Sequence, residues 1–129
     1  FLSAIALSHQ REIRSVAFLV GGNPTVQVVG SGLGGRSQEL ALAAATTLDS
    51  LRDTAVFSFG SDGTDGPTDA AGGYVDGRTL NRLRTALMDP ELALMNNDSY
   101  HALRVCDGLL VTGPTGTNVN DLAVVMIRR

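Results

Sequence analysis

The sequence has no lysine and no tryptophan, and its only cysteine is Cys106. The absence of lysine excludes a phosphate-binding loop of the Walker A type and any catalytic lysine within this chain. A single cysteine cannot form an internal disulfide, so the composition does not point to an oxidising compartment. No apolar run reaches the roughly 20 residues that a membrane-spanning helix needs.

Charge is also scarce, because only 18% of the residues are charged and the formal net charge is -3. This balance argues against a nucleic-acid binder, which would carry a basic surface to neutralise phosphates. The hydrophobic fraction of 43% is enough for a core and too high for a disordered chain. We therefore expect residues 1–129 to form one domain with no membrane partner and, since no secretory signal is visible, a cytoplasmic location.

Alternating apolar patterns predict the secondary structure. Short runs of branched apolar residues predict strands at residues 15–20, 25–29, 55–59, 109–111 and 122–127. Helical spacing or capping residues predict helices at residues 1–14, 36–51, 77–88, 90–95 and 100–105. This order predicts an α/β domain with a three-layer, Rossmann-like arrangement. Because the link between the first two strands is short enough for a hairpin, we expect a mixed sheet of five or six strands.

The glycine-rich segment before the second predicted helix is the first candidate site. Gly30, Gly32 and Gly35 satisfy the pattern G-x-G-x-x-G between a strand and a helix, which is the context of a dinucleotide fingerprint. Arg36 follows directly, and a cation is unfavourable at the positive end of a helix unless an anion binds there. The segment therefore predicts an anion site, with a dinucleotide site or a plain flexible loop as alternatives.

Two further polar segments follow predicted strands. Asp62 and Asp65 lie in a loop whose oxygen ligands could hold a hard cation, although an Asx-rich turn would look the same. The segment 112–118, Thr-Gly-Pro-Thr-Gly-Thr-Asn, offers backbone N–H groups for an oxyanion or phosphate, although a simple turn is the alternative. Asn96 and Asn97 precede a helix cap at Asp98, and their spacing assigns them no role.

Four motifs resemble, in order, the signatures of one known family. They are G-G-R-S-Q-E-L-A-L at residues 34–42, T-D-G-P-T-D-A-A-G at 64–72, N-D-S-Y at 97–100, and T-G-P-T-G-T-N-V at 112–119 followed by Asp121. Together they resemble the MOFRL domain, the C-terminal domain of type-2 glycerate kinases, which are also called hydroxypyruvate reductases. Three positions depart from the family pattern, since Asn23 stands where glutamate is usual, Ser37 where asparagine is usual and Asn120 where an apolar residue is usual.

The resemblance implies a phosphotransferase. Enzymes of this family transfer the γ-phosphoryl group of ATP to D-glycerate, giving 2-phosphoglycerate, with Mg²⁺ or another divalent cation. A larger N-terminal Rossmann-like domain of the same protein is the implied partner, with the active site in the cleft between the domains. The chain starts at Phe1 rather than methionine, which fits the C-terminal part of such a two-domain enzyme.

The resemblance and the segments above give one set of predicted site residues. Arg36 is the predicted catalytic residue, and Asp62 and Asp65 are the predicted metal ligands. The predicted substrate or phosphate contacts are Gly34, Gly35, Gln38, Glu39, Thr64, Thr115, Gly116, Thr117 and Asn118. Without the other half of the cleft, the isolated chain is expected to be nearly inactive.

Two other functions stay open at this point. The literal glycine fingerprint fits a reductase that uses NADH or NADPH to reduce hydroxypyruvate. A non-catalytic module that packs against a partner is the second alternative, and self-association into a homo-oligomer is also left open.

Overall fold

The computed structural model describes residues 1–129, which form five helices and five strands. The helices are α1 (Leu2–Ser8), α2 (Arg36–Ala44), α3 (Thr79–Thr85), α4 (Pro90–Met95) and α5 (Ser99–Val105). The strands are β1 (Val16–Gly22), β2 (Thr54–Gly60), β3 (Gly72–Asp76), β4 (Leu109–Leu110) and β5 (Asp121–Ile127). None of the helices combines the length and the hydropathy that crossing a membrane requires.

The strands form one sheet in the order β1-β5-β2-β3-β4, and every neighbouring pair is antiparallel. The α/β class, the number of strands and the packed helices are confirmed. The expectation of a mixed sheet is wrong, because β5, the last strand in the sequence, inserts between β1 and β2 and runs antiparallel to both. A helix that links two neighbouring parallel strands is therefore absent from this sheet.

The predicted hairpin between residues 15–20 and 25–29 is wrong. Residues 25–29 form no strand, and β1 pairs with β5. The backbone N–H groups of Val29 and Gly30 donate to the side chain of Asn97 rather than to another strand. β-branched composition predicted a strand here, but a distant asparagine takes the hydrogen bonds that a ladder would need.

Strand β3 was not predicted, because two of its five residues are Gly72 and Gly73. Glycine lowers strand propensity. A methyl group at Gly72 would overlap the backbone of Ser58 on β2, and one at Gly73 would lie 2.6 Å from the Leu103 side chain. The β2 backbone and helix α5 approach this strand so closely that both positions must be glycine. The same two glycines are the reason that the sequence did not predict a strand.

All five helices pack on one face of the sheet. Their buried residues join a single core with Val56, Val75, Ala123 and Val125 of the sheet. The expected three-layer arrangement is therefore wrong, and the domain has two layers. The physical reason is the antiparallel order, since helices that do not connect parallel strands need not alternate between faces.

The second face of the sheet bears no helix, and we call it the open face. Its central row is Leu19, Val124, Phe57 and Tyr74, as the register shows. Leu19 is 71% exposed, and the Phe57 ring stacks on Tyr74 with 6.4 Å between ring centroids. The strands are thus apolar on both sides, which is typical of a sheet covered on both faces.

Helix boundaries follow local caps where these exist. α4 begins as predicted, because the Asp89 side chain accepts hydrogen bonds from the N–H groups of Glu91 and Leu92. α1 and α2 are shorter than predicted and end at Ser8 and Ala44. Helix α2 lacks a local side-chain cap, and the group that replaces it belongs to the candidate site.

Candidate functional site

The N-terminus of α2 is capped by an aspartate from another part of the chain. The Asp65 carboxylate accepts hydrogen bonds from Ser37 N at 3.0 Å, Gln38 N at 2.9 Å and Gln38 Nε2 at 2.9 Å. The N-cap residue itself is Gly35, which has no side chain, and a methyl group there would overlap Asp65. Both oxygens of Asp65 are therefore engaged in holding the start of the helix.

Burial dominates the electrostatics of Asp65. The residue is only 4% exposed, and loss of water contact raises the pKa of its carboxyl group above the ordinary value. The hydrogen bonds from Ser37 and Gln38 oppose that shift. Asp65 is thus a buried structural acid behind Arg36 rather than a free ligand at the surface.

Arg36 is held by a second distant aspartate. Its Nε donates to Asp121 Oδ2 at 2.5 Å and its Nη2 donates to Asp121 Oδ1 at 3.1 Å. The Asp121 side chain is 7% exposed and that of Arg36 is 42% exposed. The hydrogen bond to Asp121 raises the pKa of Arg36, so the guanidinium is fixed, charged and open to solvent.

A second carboxylate converges on the same place. Asp62 Oδ1 and Asp121 Oδ1 lie 3.1 Å and 3.5 Å from the point that a side chain on Gly60 would occupy. Asp62 Oδ1 accepts a hydrogen bond from Thr64 N at 3.1 Å, and its Oδ2 has no partner in the chain. Two carboxylates and one guanidinium therefore meet at the end of β2 and the start of β5.

The donor set can be tested against a divalent cation. No group of three or more His, Cys, Asp or Glu side chains in the chain could by itself hold a metal ion. Mg²⁺ usually needs only one or two carboxylates when substrate phosphates supply the other ligands. Asp62, with one free oxygen, fits that role, whereas Asp65 has both oxygens engaged.

The loop of residues 112–118 is anchored beside Asp62. Thr115 Oγ1 donates to Ser61 O at 2.5 Å, Thr115 N donates to Asp62 O at 3.3 Å, and Val119 N donates to Ser61 Oγ at 2.7 Å. These contacts join two segments that are more than 50 positions apart. Thr64 and the loop residues Thr117 and Asn118 are exposed at the surface of the same region.

This loop keeps unpaired backbone donors. The N–H groups of Gly113, Gly116 and Asn118 have no acceptor in the chain. Gly113 and Gly116 have φ values of 71° and 76°, and neither has a neighbouring atom near the place of a side chain. Free N–H groups beside left-handed residues of a loop are suited to binding an anion.

The glycine-rich segment of residues 30–35 is built differently. Residues 96–98, which we call the strap, hold it through side-chain acceptors. Asn96 Oδ1 accepts from Ser31 N at 3.0 Å, and Asp98 Oδ1 accepts from Leu33 N at 2.9 Å. Side chains on Gly30, Gly32 or Gly34 would overlap residues 96–99. The glycines therefore permit close packing within the protein, and the physical basis of a dinucleotide fingerprint is missing.

Asn97 is the centre of the strap. Its Oδ1 accepts from Val29 N at 2.8 Å and Gly30 N at 2.9 Å, and its Nδ2 donates to Glu39 Oε1 at 2.7 Å. Glu39 is thus directed to the strap, whereas Gln38 is directed to Asp65 and Thr68. The two asparagines that the sequence left without a role are explained by these contacts.

The structure brings most of the predicted site residues together. The start of α2 beside Arg36 is formed by Gly34, Gly35 and Gln38. The exposed side of the Arg36 guanidinium, which we call the entrance, is surrounded by Asp62, Thr64 and residues 115–118. The sequence pattern did not indicate Asp121 as a site residue or a role for Ser61. The available signal for Asp121 was an acid at the first position of an apolar strand, where it pairs with Gly22 and Gly60.

Comparison with known protein families identifies the chain. Residues 16–121 match the family described as the MOFRL family. The chain belongs to the MOFRL family. The resemblance that the four motifs suggested is therefore confirmed over most of the sequence.

Relatives of this MOFRL chain include two kinases. It is 54% identical over 114 residues to the D-glycerate 2-kinase of Thermotoga maritima, covering 88% of this chain and 27% of that protein. It is 47% identical over 113 residues to the glycerate 2-kinase of Pyrococcus horikoshii, covering 87% of this chain and 26% of that protein. The chain therefore spans about a quarter of the length of these relatives.

A solved structure shares the fold of this MOFRL chain. The crystal structure of glycerate kinase from Thermotoga maritima superposes with a TM-score of 0.94 at 49% sequence identity. The superposition covers 98% of this chain and 32% of the kinase. The two-layer arrangement described above is thus the arrangement of one part of a longer kinase.

Proposed function

We propose that this MOFRL chain forms one wall of the active site of a D-glycerate 2-kinase. The observation that carries the proposal is Arg36, a charged guanidinium held by the buried Asp121 and open on its outer side. The likeness to two proteins named glycerate 2-kinase supports the substrate class. Phosphoryl transfer depends mainly on positioning and on neutralising charge, which fits these groups.

The residues have distinct roles in the proposed reaction. Arg36 binds the glycerate carboxylate or a phosphate oxygen of ATP and compensates the charge that develops during transfer. The free N–H groups of Gly113, Gly116 and Asn118 bind phosphate oxygens on the other side of the entrance. Asp121 is a positioning residue, because it acts on the substrate only by orienting Arg36.

The metal has a defined place in this proposal. Mg²⁺, when bound with ATP, neutralises phosphate charge and orients the phosphoryl group. Asp62 would supply a carboxylate oxygen for it, and an oxygen of Asp121 lies near the same point beside Gly60. Asp65 keeps its role as the cap of α2, so we do not propose it as a metal ligand.

The proposed reaction balances without a further reactant. The hydroxyl oxygen on carbon 2 of glycerate forms a bond to the γ-phosphorus, and the bond from that phosphorus to the bridging oxygen of ADP breaks. ADP and 2-phosphoglycerate leave, and the hydroxyl proton is released to water. This chain contributes the anion-binding side of the cleft and no lysine.

The remainder of the longer protein is the proposed partner. A larger N-terminal domain completes the cleft, and the apolar open face supports the view that more of the protein packs on this domain. Self-association through the open face is the alternative, and light scattering on the full-length protein distinguishes the two. The use of ATP and the unpaired Cys106 support a cytoplasmic location.

The reductase alternative has less support. A dinucleotide fingerprint needs glycines that let a pyrophosphate approach the backbone. Here Gly30 and Gly32 are packed against residues 96–98, and Gly35 is packed against Asp65. A non-catalytic module would not need an exposed, charged arginine that a buried acid holds in place. The kinase is therefore favoured over both the reductase and the non-catalytic module.

The experiment is an assay of the full-length protein with D-glycerate, ATP and Mg²⁺, following ADP release. We expect ADP formation that depends on glycerate. Arg36→Ala should lower kcat by a factor of about 100 or more, the loss typical of removing one donor to a developing charge. Arg11→Ala, which removes an exposed arginine without a partner, is the matched control and should keep full activity.

Either of two results would contradict the proposal. Near-full turnover by Arg36→Ala would remove Arg36 from the active site. Absence of glycerate-dependent ADP release, in a full-length protein whose folding is verified by circular dichroism, would reject the kinase itself. NADH oxidation with hydroxypyruvate would then be the next assay.

A further inference from the structure

A second crevice opens at the end of the sheet that is remote from Arg36. Its volume is about 720 Å³, and it lies where β2 begins and where β3 and β5 end. Arg128 lines it and directly follows β5, whereas Asp121, the partner of Arg36, is the first residue of that strand. Seven residues of extended strand separate the two places by about 20 Å.

The charge of this crevice opposes that of the chain. The whole chain has a net charge of -3, yet three arginines and two aspartates line the crevice. The aspartates are already engaged. Asp53 pairs with Arg128 at 3.0 Å, and Asp76 accepts from the backbone N–H of Arg78 at 2.8 Å and lies 3.8 Å from Arg82.

The guanidinium groups of Arg52 and Arg78 are free. Neither makes a hydrogen bond or an ion pair with any part of the chain. A surface arginine without a partner is ordinary, but two such residues in one crevice, beside neutralised acids, leave a local excess of positive charge. A concave surface with one dominant sign attracts small ions of the opposite sign.

Backbone donors add to this excess. The N–H groups of Arg52, Asp53 and Gly77 have no acceptor in the chain. Ser50 and Asp53 adopt left-handed φ values of 65° and 50°, which shape the turn before β2 into a tight loop. The crevice thus offers planar cationic groups and fixed N–H dipoles, the combination that recognises phosphate.

An apolar surface lies next to these donors. Leu51, Ala55, Tyr74 and Met126 line the same crevice. Tyr74 is half-buried, and its hydroxyl donates to Asp76 Oδ2 at 3.3 Å, which fixes the ring. A ligand with both a carbon skeleton and an anionic group is therefore better matched than a bare inorganic ion.

We propose that this crevice is a separate binding site for a small organic phosphate. Arg52, Arg78 and the free N–H groups bind the phosphate, and the carbon part lies on Tyr74 and Met126. Arginine suits this role because its planar group can bind two phosphate oxygens at once. The site is independent of the proposed kinase site, since the two share no residue.

The test is a titration of the full-length protein, labelled with ²H and ¹⁵N, followed by amide chemical shifts, because Tyr74 and Met126 are accessible in the isolated chain whether or not another domain covers the open face. The probes are phenyl phosphate, inorganic phosphate and phenol, at an ionic strength held at about 0.1 M. We expect saturable shifts at Arg52, Asp53 and Gly77 with phenyl phosphate, with a Kd on the order of 1 mM. Inorganic phosphate should bind the same amides more weakly, and phenol alone should not saturate them.

A pair of double variants provides matched charge. Arg52→Gln with Arg78→Gln should weaken phenyl phosphate binding about tenfold or more, a loss typical of two charge-assisted hydrogen bonds. Arg11→Gln with Arg14→Gln lowers the net charge equally, at exposed arginines outside the crevice, and should change Kd by less than about twofold. Retained dispersion of the amide spectrum verifies folding in both.

Three outcomes would overturn the proposal. The first is the absence of saturable shifts in the unsubstituted chain. The second is equal weakening in both double variants, which would indicate non-specific attraction. The third is a response confined to Gly113, Gly116 and Asn118, which would assign phosphate binding to the proposed kinase site alone.

Discussion

Two glycine-rich segments of this domain have similar composition and opposite surroundings. In residues 30–35 the glycines are pressed against residues 96–99, and there is no room for a methyl group at Gly30 or Gly34. In residues 112–118 a side chain on Gly113 or Gly116 would enter open space, and both glycines have left-handed backbones. In the first segment glycine allows close packing against a neighbouring segment, and in the second it allows a left-handed backbone conformation.

The hydrogen bonds show the same contrast. The strap accepts hydrogen bonds from all five backbone N–H groups of residues 29–33, so that segment has no free donor for a ligand. The loop of residues 112–118 is anchored at Thr115, and the N–H groups of Gly113, Gly116 and Asn118 keep no acceptor. Unused donors on an anchored loop are typical of binding sites, because a ligand can accept their hydrogen bonds with little entropy lost in ordering the loop.

The largest expected effect separates the two uses of glycine. Gly30→Ala should lower the free energy of unfolding by about 3 kcal/mol, because the methyl group meets the backbone of Asn96. Gly116→Ala should cost about 1 kcal/mol, since only the left-handed conformation is penalised. Urea unfolding of the chain measures both. Equal losses at the two positions would break the distinction.

A matched pair of asparagines tests the strap. Asn97→Ala should cost about 2 kcal/mol, because it removes the hydrogen bonds to Val29, Gly30 and Glu39 at once. Asn118→Ala should cost about 0.5 kcal/mol or less, since the exposed side chain only accepts from Asn120 N. The same urea unfolding applies, and a smaller loss at Asn97 than at Asn118 would contradict the assignment.

The anchor of the open loop is expected to have a smaller effect on stability. Thr115→Val removes the hydroxyl that donates to Ser61 O and should cost about 1 kcal/mol. Thr117→Val is the control, because that hydroxyl makes no hydrogen bond and the residue is exposed. In the amide spectrum, Thr115→Val should also shift Asp62 and Gly116. Unchanged amide shifts at Asp62 and Gly116 would show that Thr115 does not hold the loop.

The smallest effect concerns pH. Burial raises the pKa of Asp65 in the folded chain, so the unfolded chain loses this proton at lower pH than the folded chain. Stability therefore falls as the pH rises from about 3.8 through the raised pKa and is constant above it. The stability of the original chain relative to Asp65→Asn should thus be higher near pH 3.5 than at pH 7.

Chemical unfolding at the two pH values checks this sign. Asp107→Asn, which removes an exposed carboxylate that accepts no hydrogen bond, is the matched control. A relative stability that rises with pH would mean that the hydrogen bonds from Ser37 and Gln38 outweigh burial at Asp65.

The fold could be predicted in part. Strands β1, β2 and β5 were found because their apolar runs are continuous, and α4 because Asp89 caps it. The segment 25–29 looked like a strand by composition alone, and β3 was hidden by its two glycines. Both errors arise because the deciding contacts come from Asn97 and from the β2 backbone.

The sequence predicted the segments that form the site but not the hydrogen bonds that join them. Arg36 was singled out from its place at a helix start, and the structure places it at the entrance with Asp62. Asp121, which holds Arg36, lies 85 positions away, and no local pattern links the two. Asp65 fitted the composition of a metal loop, yet the structure engages both of its oxygens at α2.

The sequence by itself determined the family, the apolar strands, the locally capped helix α4 and the three polar segments that build the candidate site. These depend on residue type and on neighbours a few positions apart, where periodicity and capping act. Only the tertiary structure decided the strand order, the single helical layer, the cap on α2 and the pairing of Arg36 with Asp121. The cap on α2 joins residues 27 positions apart, the pairing of Arg36 with Asp121 joins residues 85 apart, and β1 pairs with β5 across 99 to 111 positions. Such contacts form only when the whole chain packs.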